Sequence, residues 1–113
     1  MTTLVIDLHS VEYLFRDDRV GPNLKMMKVK VAAYYFDVVE DKYPWEEEFA
    51  DFEFMMVYQK YNLQYLARLR GVYTFEFEMA WRAKSEEEAQ MWRFNMRKFE
   101  ALVRSRVDEE RER

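Results

Sequence analysis

The only histidine, His9, stands beside Asp7 and close to Glu12, and on an extended segment Asp7 and His9 share one face. These residue types could form a general acid/base pair or hold a metal, but one imidazole among scattered carboxylates has no diagnostic spacing and reads as well as a surface histidine. Glu76 and Glu78 alternate with aromatics, which puts their carboxylates on one side of a strand roughly 6 to 7 Å apart. Glycosidases use a separation of this kind, yet the same alternation is what keeps an outward strand face wet. Asp37, Glu40, Asp41 and Lys42 form the one compact set that a magnesium-dependent nuclease would require, and they read equally as a charged turn before Tyr43-Pro44. With no Cys and two Gly, thiolate chemistry, disulfides and Gly-rich phosphate loops fall away. The expectation is a protein without catalytic residues, cofactor or metal, acting through its surfaces.

Two surfaces are indicated. The chain has 9 Phe, 8 Tyr, 3 Trp and 8 Met in 113 residues, more than one small core readily hides, and aromatic, Met and Arg side chains are those enriched in protein interfaces. Tyr43 and Trp45 beside Glu46, Glu47 and Glu48 combine possible anchors with concentrated charge for steering, which marks this segment as the leading protein-interaction candidate. A homodimer is expected first, since closed two-fold dimers are the commonest oligomers. The alternative is nucleic-acid binding by the basic, aromatic-rich half, residues 60–106. Residues 1–56 carry 6 basic and 12 acidic side chains, whereas residues 57–107 carry 10 basic and 6 acidic. Arg93, Arg97 and Arg104 share one helical stripe, and Tyr61, Tyr65, Tyr73 and Trp92 could stack on bases. The formal charge of -4 opposes a general affinity for phosphates.

The elements that position these residues are legible from periodicity. Tyr73, Phe75, Phe77, Met79 and Trp81 alternate with Thr74, Glu76, Glu78, Ala80 and Arg82, which predicts a strand over 73–82. Phe52, Phe54, Met56 and Tyr58 also alternate and predict a second strand. Residues 4–8 and 11–15, separated by His9-Ser10, read as a hairpin or two edge strands. Ser85 as N-cap with Glu88 three residues later predicts a helix whose buried stripe is Ala89, Trp92, Met96, Phe99 and Val103. Residues 23–42 favour a helix after the Gly21-Pro22 break, with Asn23 as cap, although Lys28-Val29-Lys30-Val31 alternates like a strand. Residues 60–70 fit a strand or a short helix ended by Gly71.

The resulting expectation is a single α+β domain over residues 1–107, in which an antiparallel sheet of four or five strands packs on a long C-terminal helix and one further helix. Residues 108–113 follow as a charged, disordered tail. No apolar run reaches the roughly 18 residues of a spanning helix, and Met1-Thr2-Thr3-Leu4 lacks a basic signal-peptide start, so a soluble protein of the cytoplasm, of the cell or of an infected host cell, is expected. The chain sets 18 basic and 22 acidic side chains against three each of Ser, Thr, Asn and Gln, a bias found in proteins of hot environments. By compositional analogy, small acidic chains rich in aromatics suggest a virus-encoded accessory or inhibitor protein.

Overall fold

The computed structural model describes residues 3–16, 25–68, 74–80 and 82–112. The Gly21-Pro22 break, the Asn23 cap, the Gly71 turn, and Tyr73 and Trp81 of the alternating run lie outside the described residues.

Three strands, β1 (Thr3–Asp7), β2 (Met26–Ala32) and β3 (Thr74–Ala80), form one sheet in that spatial order, and both pairings are parallel. The expected antiparallel sheet of four or five strands is corrected by this topology. Alternation of apolar and polar residues records that one face of a strand is wet, which is usual for antiparallel sheets, but it does not record direction. Direction follows from the connections, residues 8–25 and 33–73, which are long enough to carry the chain back to the start of the next parallel strand.

Two of the expected strands are helical. Residues 8–16 form a 3₁₀ helix in which Leu8 and Val11, three residues apart, are both fully buried, matching its three-residue turn. Residues 51–60 form α1 (Asp51–Lys60), which buries Phe54, Val57 and Tyr58 and leaves Phe52 69% exposed. Its sequence satisfies both period two and the i, i+3, i+4 spacing, and the helical period prevails. Ala50 has no side-chain acceptor, so Glu53 reaches back and accepts the Ala50 N–H at 2.9 Å. Asn62, at φ 53°, takes the left-handed position that ends the helix. The helix favoured for 23–42 is likewise corrected: Lys28-Val29-Lys30-Val31 lies in β2, and a 3₁₀ helix over Ala33–Val38 follows. Of residues 60–70, those described, 60–68, comprise the end of α1 and a 3₁₀ helix over Leu63–Arg68, and residues 69 and 70 lie outside the described residues.

The longest element is α2 (Glu86–Arg111). Ser85 Oγ accepts the Glu88 N–H at 3.2 Å, and the Glu88 carboxylate accepts the Lys84 N–H at 3.1 Å. Trp92, Asn95, Met96, Phe99, Val103 and Val107 form its buried stripe. Residues 108–111, expected in the charged tail, continue the helix by another turn, and Arg111 Nη2 donates to the Leu66 carbonyl at 3.4 Å.

The core lies between the inner face of the sheet, with Leu4, Ile6, Met27, Val29, Val31, Phe75 and Phe77, and the helices. At its centre the Phe36 ring meets Phe49, Phe54, Trp92 and Phe99 edge-on, with centroids 5.3 to 6.3 Å apart, the geometry that aromatic quadrupoles favour. The outer face carries charge in alternating rows: Asp7 neighbours Lys30, which neighbours Glu78, and Lys28 neighbours Glu76. Among the described residues no helix is long and apolar enough to cross a membrane.

Candidate functional site

The loop leading into α1 contains the Tyr43–Glu48 segment, and its form begins with Pro44. Proline at the second position presets φ for a tight turn, and the Tyr43 carbonyl accepts from the N–H groups of Glu46 at 3.0 Å and Glu47 at 3.1 Å. This turn stacks Tyr43 on Trp45, with centroids 4.9 Å apart and planes 20° from parallel. Tyr43 is 44% exposed, Trp45 packs partly against the core, and Glu46, Glu47 and Glu48 are all exposed.

Helix α2 clamps the loop from below. Asn95 is 0% exposed; its Nδ2 donates to the carbonyls of Pro44 and Glu47, both at 2.7 Å, and its Oδ1 accepts the Phe49 N–H at 2.9 Å. All three hydrogen-bonding positions of the amide facing the loop are thereby used, in a setting where an unmet polar group would be costly. One turn further on, Lys98 Nζ donates to the Phe49 carbonyl at 2.7 Å and to Glu48 Oε1 at 3.3 Å. Asn95 was not singled out from the sequence. Its signal was a lone amide within the apolar stripe, between Trp92 and Met96, where a polar residue is tolerated only if it is bonded.

The far end of the loop is held through Glu53, whose Oε1 also accepts from Lys42 Nζ, while the Lys42 ammonium lies 5.1 Å from the Phe49 ring centroid. Burial pushes the Glu53 carboxyl up, but the Ala50 N–H and the Lys42 ammonium outweigh it, and the pKa lies below the ordinary glutamate value. A depressed carboxylate contributes stability that is present above the unfolded pKa and is lost as pH falls through the folded one. Glu53→Gln is therefore expected to cost about 2 kcal/mol at neutral pH, the range for a hydrogen bond to a charged group. The difference should shrink as pH falls below the unfolded glutamate pKa of about 4.3. Thermal melts of both proteins from pH 7 to pH 3 check this, and a difference independent of pH would contradict it.

The other sequence-derived candidates are dispersed. His9 Nδ1 lies 2.8 Å from the Tyr35 hydroxyl, while Glu12 accepts from Asn62 Nδ2 at 2.9 Å. Burial, followed by the neighbouring Tyr34, pushes the Tyr35 phenol far above its ordinary range, so it remains a neutral hydroxyl beside His9. Asp41 occupies a left-handed turn at φ 59°, and Lys42 turns away from it to Glu53. Among the described residues no group of three or more His, Asp or Glu is placed to hold a metal ion. The arginine stripe is likewise divided: Arg93 pairs with Glu86 at 3.1 Å, and Arg104 donates to the Phe75 carbonyl at 2.6 Å and lies 4.9 Å from the Phe75 ring centroid. Arg97 remains exposed beside a groove between β3 and α2.

Fold and site together define a small α+β domain with an all-parallel three-stranded sheet, a long C-terminal helix and a clamped aromatic and acidic loop. No protein-family model matches the chain, and no match is found among curated proteins or solved structures.

Proposed function

We propose that this is a non-enzymatic interaction protein that presents the Tyr43–Glu48 loop to a protein partner. The observation that carries this reading is the Asn95 clamp, which spends a fully buried amide on holding an exposed aromatic and acidic turn in one shape. A loop ordered before binding loses less entropy on association than a mobile one, and a rigid aromatic pair supplies contact area at low conformational cost. The adjacent carboxylates of Glu46 and Glu47, with Glu48 held by Lys98 beside them, select a basic surface and accelerate encounter with it. The partner surface that fits is a cationic patch around an apolar pocket wide enough for one ring.

Self-association is part of the proposal. Phe52 and Met56 lie one turn apart on the outward side of α1, at 69% and 38% exposure, and form an apolar strip suited to a two-fold contact. The setting proposed is the cytoplasm, of the cell or of a cell infected by a virus that encodes the protein as an accessory or inhibitor; the viral part rests on compositional analogy alone.

The test is affinity capture from lysate of the source cells with the parent protein and with a Tyr43→Ala/Glu46→Ala/Glu47→Ala variant, quantified by mass spectrometry and repeated with purified components. At least tenfold loss of one basic partner with the variant is expected. Equal capture of every partner by the two proteins would refute the role of the loop. Light scattering on the parent and on Phe52→Glu/Met56→Glu addresses self-association: a dimer converted to a monomer is expected, and a monomeric parent removes that part of the proposal.

A further inference from the structure

The outer edge of β3 offers a second binding surface, away from the Tyr43–Glu48 loop. Within a strand, the N–H and C=O of one residue point to the same side and successive residues alternate. The Phe75 carbonyl accepts from Arg104 Nη2 at 2.6 Å, which marks the side of Phe75 that faces away from β2, and by the alternation Phe77 and Met79 direct their backbone groups the same way. Arg104 closes the Phe75 end, a common way of protecting an edge. Among the described residues nothing pairs with Phe77 or Met79 on that side. Beside this stretch runs a groove floored by Phe77, Met79, Trp92 and Met96, with Arg93 and Arg97 on its α2 side. An open strand edge next to a strand–helix groove is the arrangement that accepts an extended peptide: backbone bonds hold it, and alternate side chains enter the groove.

On the outer face of the sheet, away from Arg93 and Arg97, the charges of Glu76 and Glu78 decide what kind of strand fits. A second copy pairing β3 with β3 in antiparallel fashion would set Glu76 or Glu78 directly against a glutamate of the partner strand in every register centred on residues 76 to 78, and like charges so placed destabilise a sheet. A strand with basic residues on the outer face continues the alternating rows, Asp7–Lys30–Glu78 and Lys28–Glu76, by one more step. The chain contains an example of such a strand. In β2, Lys28 stands opposite Glu76 and Lys30 opposite Glu78, while Met27, Val29 and Val31 stand opposite Phe75, Phe77 and Met79. We infer that the outer edge of β3 binds an extended segment of a protein partner in which basic and apolar residues alternate, with the apolar ones on the groove and the basic ones beside Glu76 and Glu78.

The test uses a fluorescein-labelled synthetic peptide with the sequence of residues 25–32 as probe and fluorescence anisotropy as readout. Saturable binding is expected, at least tenfold weaker for the same peptide with both Lys28 and Lys30 replaced by Glu. Met79→Pro removes the edge N–H without touching a ladder bond to β2 and should weaken binding at least tenfold, with circular dichroism confirming the fold. Glu76→Gln/Glu78→Gln, which leaves the backbone edge intact, should weaken it about threefold and flatten its salt dependence. The Tyr43→Ala/Glu46→Ala/Glu47→Ala variant should bind the peptide as the parent does, which separates this edge from the loop. Failure of the lysine peptide to bind, equal binding of the lysine and glutamate peptides, or unchanged binding by folded Met79→Pro would overturn the inference. So would a parent dimer that Met79→Pro dissociates, because a second copy would then occupy the edge.

Discussion

Asn95→Ala is expected to lower the unfolding free energy by about 3 kcal/mol, because three hydrogen bonds are lost and their backbone partners are left without the amide. For a chain of this length that corresponds to a fall in Tm of about 12 °C. The urea midpoint should drop with little change in m, since the native state remains compact. The second consequence is functional: a loop freed from its clamp must be ordered on binding, so partner affinity should fall even though none of Tyr43, Trp45 or Glu46 to Glu48 has changed. Asn95→Asp sharpens the test. At pH 7 it directs a carboxylate at the carbonyls of Pro44 and Glu47 and should be worse than alanine; as pH falls, protonation restores one donor and part of the loss should return. An alanine variant that melts with the parent would mean that Lys98 and Glu53 hold the loop without Asn95.

Phe36→Ala is expected to cost still more, about 4 kcal/mol, the range for emptying a phenylalanine site in a packed core. Phe36 is 1% exposed and joins rings from three directions: Phe49 in the loop, Phe54 in α1, and Trp92 and Phe99 in α2. The cavity would open where these elements meet, so collapse around it would require several of them to move together. Against a typical domain stability of about 5–15 kcal/mol, such a loss leaves a protein close to unfolding at physiological temperature. Phe36→Leu keeps most of the volume and should cost about half as much, the difference reflecting cavity and edge-to-face terms. Chemical denaturation of the two variants measures this; a Phe36→Ala cost below 1.5 kcal/mol, the level of a tolerated volume-conserving swap, would show that the aromatic cluster is not the centre of the core.

The sequence revealed elements where local signals agreed. For α2, cap, acidic first turn and apolar stripe coincide, and Ser85 and Glu88 hold the positions their spacing indicates. The alternation of residues 73–82 is strong enough to place β3 within it. Where two periods fitted at once, reading failed: Phe52-Glu53-Phe54-Met55-Met56-Val57-Tyr58 satisfies a strand by alternation and a helix by Phe54, Val57 and Tyr58. The choice depended on what those side chains met, and as a helix the segment brings Phe54 to Phe36, Phe49 and Phe99. The Tyr43–Glu48 segment was legible as a loop from Pro44 and its charges, but its clamp was not, because Asn95 lies about fifty positions away along the chain.

What the sequence determined by itself was local: the start of α2 and Trp92, Met96, Phe99 and Val103 of its buried stripe, though not Asn95 or Val107, the two faces of β3, the turn at Pro44, and the scarcity of catalytic residue types. Each follows from interactions within a few residues, where backbone geometry and solvent are the only partners. Tertiary structure alone decided the parallel direction of the sheet, the helical state of residues 51–60, the pairing of Asn95 with the loop and the turn of Arg104 onto the edge of β3. These depend on contacts between segments far apart in sequence. Side-chain periodicity is the same for a strand running either way, and a polar side chain carries no record of which distant backbone group will satisfy it.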